Sequence, residues 1–393
     1  MPGKTAPSMQ VTVSKKDFLR ILDRCQGVAD KKSTMPVLGN VLLEVDGPSQ
    51  LRLSAMDLFL SITGVLQAHV ERPGSIAVGA RDLFERVRMM PDGQLTLSST
   101  DGSSLTLKAV GTARRFTIHG IPGDEFPKQP QPDLSAAVLS LPVSTLATLI
   151  QSTQFSISTD DSRLALNSAL FEWTEDRVRF VTTDGHRLTK AEAIVAGTQA
   201  TSTMLIPLKG IQQLKRVCDD ALSEATRADS EDGSESVVKI SQNGPSAFFQ
   251  MGSLQFSVKL VDAQFPPYDQ VIPQVSERVV RVPRLGVADA LRAVSVAASD
   301  RTGGVKLTLS QGTIRFETES PESGEGFDEI AIDYDGPDLT IGFNAKYFLD
   351  VTSAISDEDI SIGIGGELDP AVIRPAMRSE SFDLLAVVMP MRI

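Results

Sequence analysis

A chain of 393 residues exceeds what one hydrophobic core usually supports, and its 41% hydrophobic and 22% charged residues are those of an ordinary globular protein of two or three domains. No apolar run approaches the ~20 residues that span a bilayer, and Met1 to Ser8 lack the apolar stretch of a signal peptide; the expectation is a cytoplasmic, non-membrane protein with a disordered tail at 1–8. A formal net charge of −12, taken bluntly, speaks against nucleic-acid binding, which rests on neutralising phosphates.

From Val11 onward the chain repeats one pattern six times: a short alternating strand, a polar or Pro/Gly break, and about three turns of helical apolar spacing. The first helix carries Phe18, Ile21, Leu22, Cys25 and Val28, and the second, after a strand near Ile76, carries Leu83, Val87 and Met90. Val138 to Leu141 leads into Leu146, Leu149, Ile150 and Thr153, and Leu205 into Ile211, Leu214, Val217 and Cys218. Val280 leads into Val287, Leu291, Val294 and Ala298, and Ile341 into Phe348, Val351 and Ile355. A period of roughly 60 to 75 residues is too long for the common solenoid repeats, so the units read as two per domain. The predicted domains are 9–133, 134–276 and 277–393.

Charge is unevenly placed along these units. Lys16, Arg20 and Arg24 stand at i, i+4 and i+8 beside the apolar stripe of the first helix, and Lys31 and Lys32 follow its end. The second helix sets Arg81 and Arg88 two turns apart, and the fourth begins with Lys209, Lys215 and Arg216 without an acid among them. Mildly basic helices in an acidic protein fit two readings: ordinary solvated faces, or a surface that faces a polyanion while the rest repels it.

Between the helices of the first domain, strands are predicted at 41–45, 50–54, 61–68, 95–99 and 104–110, with Pro91-Asp92-Gly93 and Asp101-Gly102 as turns. The fold class is therefore α+β, with two helices per domain on antiparallel sheets. Each domain closes on a strand ending in a bulky apolar residue before proline, at Phe126-Pro127, Phe265-Pro266 and Met389-Pro390. The acidic stretches 223–236 and 319–329 read as surface loops without structure of their own.

Chemistry is sparse. Cys25 and Cys218 fall on apolar helical stripes with no neighbouring ligand residues, and His69, His119 and His186 are scattered, so no metal or cofactor is expected. The most distinctive string is Phe180-Val-Thr-Thr-Asp-Gly-His-Arg-Leu-Thr189. A hydrolase centred on His186 with Asp184 as its orienting acid is one reading, but no nucleophile elbow or phosphate loop accompanies it. Asp184-Gly185 otherwise makes a tight turn with His186 and Arg187 as ordinary turn residues.

Thr183-Asp-Gly-His-Arg-Leu188 and the C-terminal Val388-Met-Pro-Met-Arg-Ile393, together with Met35-Pro-Val-Leu-Gly-Asn40, Leu260-Val-Asp-Ala-Gln-Phe-Pro266 and Ile341-Gly-Phe-Asn344, resemble the bacterial beta sliding clamps. The likeness runs from about Met9 to Ile393. It implies a non-enzymatic, head-to-tail homodimeric ring, strands outside and helices lining a hole for duplex DNA. Cation contacts to phosphate would hold the duplex without reading sequence. The DNA-facing set is then Arg20, Arg24, Lys31, Lys32, Arg81, Arg88, Lys209 and Lys215, and the subunit edge is Arg115, Phe116 and Ile118 against Val296 and Ala297 of the next copy.

The resemblance further implies an apolar pocket for short linear peptides of the DNA polymerase III catalytic subunit, the clamp loader, other polymerases and repair proteins. Its matching positions are Arg163, Leu166, Thr183, Gly185, His186, Arg187, Leu188, Pro266, Val271, Pro370, Val387, Met389, Pro390, Met391 and Arg392. Leu, Val, Pro and Met suit an adaptable cleft, while Thr183, His186 and Arg187 are expected to bond the peptide. The chain departs from the pattern in carrying Leu164 and Ala165 after Arg163, where relatives often show aromatic residues, and in ending on Ile393 rather than Leu. A scaffold that never encircles DNA remains the competing non-enzymatic reading.

Overall fold

The computed structural model describes residues 9–30, 33–100, 103–133, 135–195, 201–227, 235–298, 303–321 and 323–392. The tail at 1–8, Lys31, Lys32, the Asp101-Gly102 turn and Ile393 lie outside the described residues.

All six strand-to-helix units form. The helices are α1 Lys15–Val28, α2 Ala80–Arg88, α3 Val143–Thr153, α4 Leu208–Arg227, α5 Arg284–Ser295 and α6 Ala345–Ala354, each directly following a short strand. In α1 the strand hands over at Ser14, whose hydroxyl accepts from the Asp17 N–H, and α6 starts the same way with Asn344 accepting from Lys346 at 3.0 Å. Phe18, Ile21, Leu22, Cys25 and Val28 are the buried face of α1, as their spacing predicts. Each large apolar side chain so buried contributes about 1.5–3 kcal/mol. The helix lies against the strand Leu60–Arg72 so closely that a Cβ on Gly64 would stand 2.5 Å from Ile21 Cγ2, a distance only glycine permits.

The chain forms two compact bodies, one of residues 1–144 and 213–260, the other of 145–212 and 261–393. In the first, twelve strands make one antiparallel sheet in the order Gln10–Ser14, Gln94–Thr100, Ser104–Ala109, Arg115–Pro122, Ser75–Gly79, Asn40–Asp46, Gln50–Met56, Leu60–Arg72, Leu254–Lys259, Ser246–Met251, Val237–Asn243 and Leu139–Pro142. Gln10–Ser14 also pairs with Leu60–Arg72, so part of the sheet closes on itself.

The second body holds an eight-stranded sheet, Ser202–Pro207, Ser168–Trp173, Arg177–Thr183, Arg187–Ile194, Phe382–Val388, Ala371–Pro375, Asp359–Ile364 and Arg278–Pro283. A four-stranded sheet, Gly324–Ala331, Thr313–Ser320, Gly304–Ser310 and Leu339–Asn344, completes it.

Two expectations are corrected. The stretch 319–329 is not a structureless loop: Thr313–Ser320 and Gly324–Ala331 pair in register with Glu317 opposite Phe327 and Glu319 opposite Glu325. Ile314, Phe316 and Thr318 point inward between outward-facing charges, so the acidic composition hid a period-2 pattern. Gly326 lets this hairpin approach α5, since a Cβ there would meet the Val294 carbonyl oxygen at 3.0 Å. The other acidic stretch is helical through Arg227, because Asp220 and Glu224 face the arginines of α1; residues 228–234 lie outside the described set.

Candidate partner-binding site and cation surface

The site lies within the second body and grows from one hairpin. Arg177–Thr183 and Arg187–Ile194 pair with Thr183 opposite Leu188, leaving Asp184-Gly185-His186 as the turn. Gly185 sits at φ +95, a left-handed conformation natural to glycine, and a Cβ on it would stand 3.0 Å from Nη2 of Arg163. Asp184 closes the turn by accepting the N–H groups of His186 (2.9 Å) and Arg187 (3.1 Å). The Thr183 hydroxyl donates to the Arg187 carbonyl at 2.7 Å and accepts from the Gly185 N–H at 3.1 Å. Arg163 Nη1 donates to the Asp184 carbonyl at 3.0 Å, which ties the loop containing Leu166 to the turn.

The C-terminal strand lies alongside. Arg187 pairs with Val388 and Leu188 with Val387, and Val372 stands opposite Val387 on the far side. Leu188, Val387, Val372, Val181 and Tyr268 share one buried apolar cluster, with Phe265 and Ile272 packed against it. Pro266 and Val271 flank this cluster at either end of the Tyr268–Gln270 turn, and Pro370 enters the strand Ala371–Pro375. The Tyr268 hydroxyl accepts from Arg179 and donates to Glu172, both at 3.0 Å, and burial pushes its pKa up to about 12, so it stays protonated.

Beyond the strand the tail is held by two backbone bonds: Met389 N–H to the His186 carbonyl (2.9 Å) and Met391 N–H to the Gly342 carbonyl (2.8 Å). Met389 at 37% and Val271 at 41% exposure, with exposed His186, Pro266 and Arg392, present side chains above the buried Leu188 and Val387. The result is a rigid apolar floor under an accessible, partly apolar rim, a form suited to an extended peptide with leucine or phenylalanine side chains.

Two of the three expected peptide donors are otherwise engaged. Arg187 is only 8% exposed: Nε bonds Asp184 at 3.0 Å, Nη1 bonds Asp350 at 2.6 Å and Nη2 bonds the Phe155 carbonyl. Its guanidinium lies 4.6 Å from the Tyr347 ring centroid and 5.4 Å from that of Phe155. Thr183 is buried in its own turn, as described. Only His186 offers a free imidazole, its ring stacked on Tyr347 at 6.5 Å. Asp350 and Tyr347, from α6, position the turn yet carry no local sequence signal.

Three consecutive segments match the family models for the DNA polymerase III beta subunit: residues 9–130 the N-terminal domain, 140–267 the central domain and 269–392 the C-terminal domain. The beta sliding clamp of Pseudomonas putida is 31% identical over 387 residues, covering 98% of this chain and 100% of the relative. That of Escherichia coli K12 is 28% identical over 389 residues with the same coverage. Among solved structures, the Pseudomonas aeruginosa sliding clamp bound to griselimycin superposes with a TM-score of 0.88 at 30% identity, and the Thermotoga maritima beta subunit with 0.86 at 26%, each covering 98% of this chain and all of the other.

The chain belongs to the beta sliding clamp family. It is a three-domain DNA polymerase processivity clamp and a non-catalytic subunit, and the hydrolase reading of His186 falls with that assignment.

The cations of this clamp divide. Arg81, Arg216 and Lys209 are exposed, and among the described residues Arg81 and Arg216 form no salt bridge. Arg88 lies 3.9 Å from Glu85, a weak exposed pair, and Lys215 is bound to Asp219 one turn on. Arg24 departs from expectation: 9% exposed, it lies between Asp220 and Glu224, so its charge is answered within the fold.

Of the predicted subunit-edge residues, Arg115, Phe116 and Ile118 pair on one side with Ser104–Ala109, while only Gly120–Pro122 of their strand pairs with Ser75–Gly79; the other edge of 115–119 is open. Val296, 84% exposed, and Ala297 follow α5 beside the unpaired edge of Gly324–Ala331. That edge carries Phe327, 62% exposed, which the loop reading of 319–329 had passed over.

Proposed function

We propose that two copies of this clamp close head to tail into a ring around duplex DNA, slide without sequence specificity, and tether the DNA polymerase III catalytic subunit, the clamp loader, other polymerases and repair proteins. The three domains divide near 133 and 276, and the protein works in the cytoplasm. The partners' short linear motifs bind at the Thr183 to Leu188 turn and the Met389 to Arg392 tail. The observation that carries this reading is the pairing of the two most distinctive sequence strings, which the register sets side by side: Arg187 opposite Val388, with Met389 bonded to His186. His186 supplies the side-chain hydrogen bond, Met389 and Val271 the adaptable rim, and Arg187 the rigidity beneath.

For the ring, the open edge at Arg115 to Ile118 on one copy and the exposed Val296 and Phe327 with half-buried Ala297 on the next supply an unpaired strand and apolar cover. Exposed Arg81, Arg88 and Lys209, with Lys31 and Lys32, supply scattered phosphate contacts. Few such contacts let a ring move, and the net charge of −12 keeps other surfaces off the duplex.

The first test is a titration with a fluorescent Gln-Leu-x-Leu-Phe peptide of the full chain and a variant lacking Met389 to Ile393. Saturable binding that the truncation abolishes, with circular dichroism unchanged, supports the site; binding unaffected by truncation refutes it. After loading, salt-resistant retention on closed circular but not linear DNA supports encirclement. Equal retention on both favours the scaffold.

A further inference from the structure

The meeting of α1 and the second half of α4, within the first body, is not used by the function proposed above. There an open cleft of about 1060 Å³ is lined by Lys15, Lys16, Arg20, Arg24 and Phe84 on one side and by Asp220 and Glu224 on the other. A cleft with four cations is a natural seat for a phosphodiester backbone, but three of them, Lys15, Arg20 and Arg24, are occupied. Arg24 Nε lies 3.3 Å from Asp220 Oδ2 and its Nη2 2.5 Å from Glu224 Oε1, while Arg20 Nε lies 3.6 Å from the same Glu224 oxygen. Lys15 bonds Asp92 at 2.9 Å and the Met90 carbonyl at 2.6 Å. Asp220 and Glu224 stand one helical turn apart, so both reach the same arginine, and Asp17 adds a third acid 3.2 Å from Arg20.

We propose that Asp220 and Glu224 form a built-in brake on DNA attachment: two carboxylates of α4 stand where phosphate oxygens would bind and hold Arg20 and Arg24 within the fold. This rests on the reading that α1 faces duplex DNA. A phosphate that captures either arginine must first displace a carboxylate already bonded to it, so the pair adds little to counterion release. A ring retained by topology gains from that weakness, since each persistent phosphate contact slows sliding.

The test is the salt dependence of binding to a fluorescein-labelled duplex of about 30 base pairs, followed by anisotropy in KCl. Asp220→Asn with Glu224→Gln keeps the shapes and frees the Arg24 guanidinium, while Arg20 keeps its pair with Asp17. With a slope of about −0.9 per phosphate contact, one new contact makes its affinity fall roughly 3.5-fold more than wild type's between about 50 and 200 mM salt. Asp124→Asn with Glu125→Gln removes the same charge from exposed acids that form no salt bridge among the described residues, and should leave the slope at the wild-type value.

Arg24→Met gives a second arm that does not depend on how well the first variant folds. In the wild-type background it should not change the slope, and in the freed background it should take back about 0.9. A freed variant with the slope of the control, or a wild-type slope that Arg24→Met lowers by about 0.9, overturns the brake. Retention on closed circular DNA is measured on the same wild-type sample. If it is present while the slopes do not differ, the brake alone fails; if it is absent, both readings fail.

Discussion

Arg187 gives the sharpest test of how the turn is built. Replacing it with Ala removes three hydrogen bonds, to Asp184, Asp350 and the Phe155 carbonyl, and two ring contacts, to Tyr347 and Phe155. Losing one partner of a fully buried ion pair costs about 3–5 kcal/mol. Here Asp184 and Asp350 keep 17% and 29% of their side-chain surface, so water answers part of the lost charge. Adding about 0.5–2 kcal/mol for the ring contacts, the expected loss is about 2–4 kcal/mol. Guanidinium chloride melts should show a lower midpoint with an unchanged slope. Peptide affinity should fall too, because the His186 carbonyl that holds Met389 belongs to the same turn. Arg187→Met with Asp350→Asn should recover part of the stability by removing the orphaned acid, a coupling of about 0.5–3 kcal/mol. An Arg187→Ala protein as stable as wild type that nevertheless binds no peptide would refute this reasoning, and would make the guanidinium a direct ligand contact.

Other expectations follow from the same geometry. Gly185→Ala forces φ +95 on an L side chain and places its Cβ 3.0 Å from Arg163, so it should cost about 1–2 kcal/mol in thermal melts and loosen the loop that Arg163 ties down. Burial raises the pKa of the Glu192 carboxyl, but hydrogen bonding from Arg177 and the charge of Arg179 outweigh it and hold the pKa below the ordinary glutamate value. With the folded value depressed, its contribution is present above the unfolded glutamate pKa and is lost as pH falls through the folded one. Glu192→Gln should therefore cost about 1–3 kcal/mol at pH 7 and flatten the acid limb of a stability profile between pH 7 and 3; a parallel profile would contradict this. Burial pushes both Cys25 and Cys218 up to about 12, so a maleimide or disulfide reagent at pH 8 should label neither in the native protein and both in denaturant. Rapid native labelling would show that α1 or α4 opens.

The six strand-and-helix units were legible because each is local: a period-2 stretch switching to a 3.6 period leaves its mark within about twenty residues. Strand order was not, since nothing near Gln10–Ser14 announces partners at Gln94–Thr100 and Leu60–Arg72. At the site, Asp184-Gly185 reads as a turn from two residues, and a turn joins the paired strands there. What Arg187 does there depended on Asp350 and Tyr347, more than 150 residues away on α6, and no local pattern ties them together. Residue type alone suggested a donor for a ligand, whereas burial makes it an internal strut. Arg24 failed in the same way, because its partners Asp220 and Glu224 come from a distant helix. In 319–329 composition outweighed a weaker alternation, and Glu319, Glu325 and Glu329 are outward residues of a hairpin.

The same contrast of local and long-range bonds bears on the proposal that one site serves several partners. Its floor, Leu188 and Val387, is locked into paired strands and a common core, where any displacement exposes apolar surface at about 25 cal/mol per Å². Its tail is held beyond the strand by the Met389 and Met391 N–H groups, with Pro390 between them unable to donate. Each such bond contributes about 0.5–1.5 kcal/mol net, so the pair holds the tail by only about 1–3 kcal/mol. A ligand can therefore reposition the Met389 and Met391 side chains for the binding energy of one or two good contacts, while the floor beneath them does not move. Methionine is well matched to such a tail, since its unbranched side chain refills whatever space the incoming side chains leave.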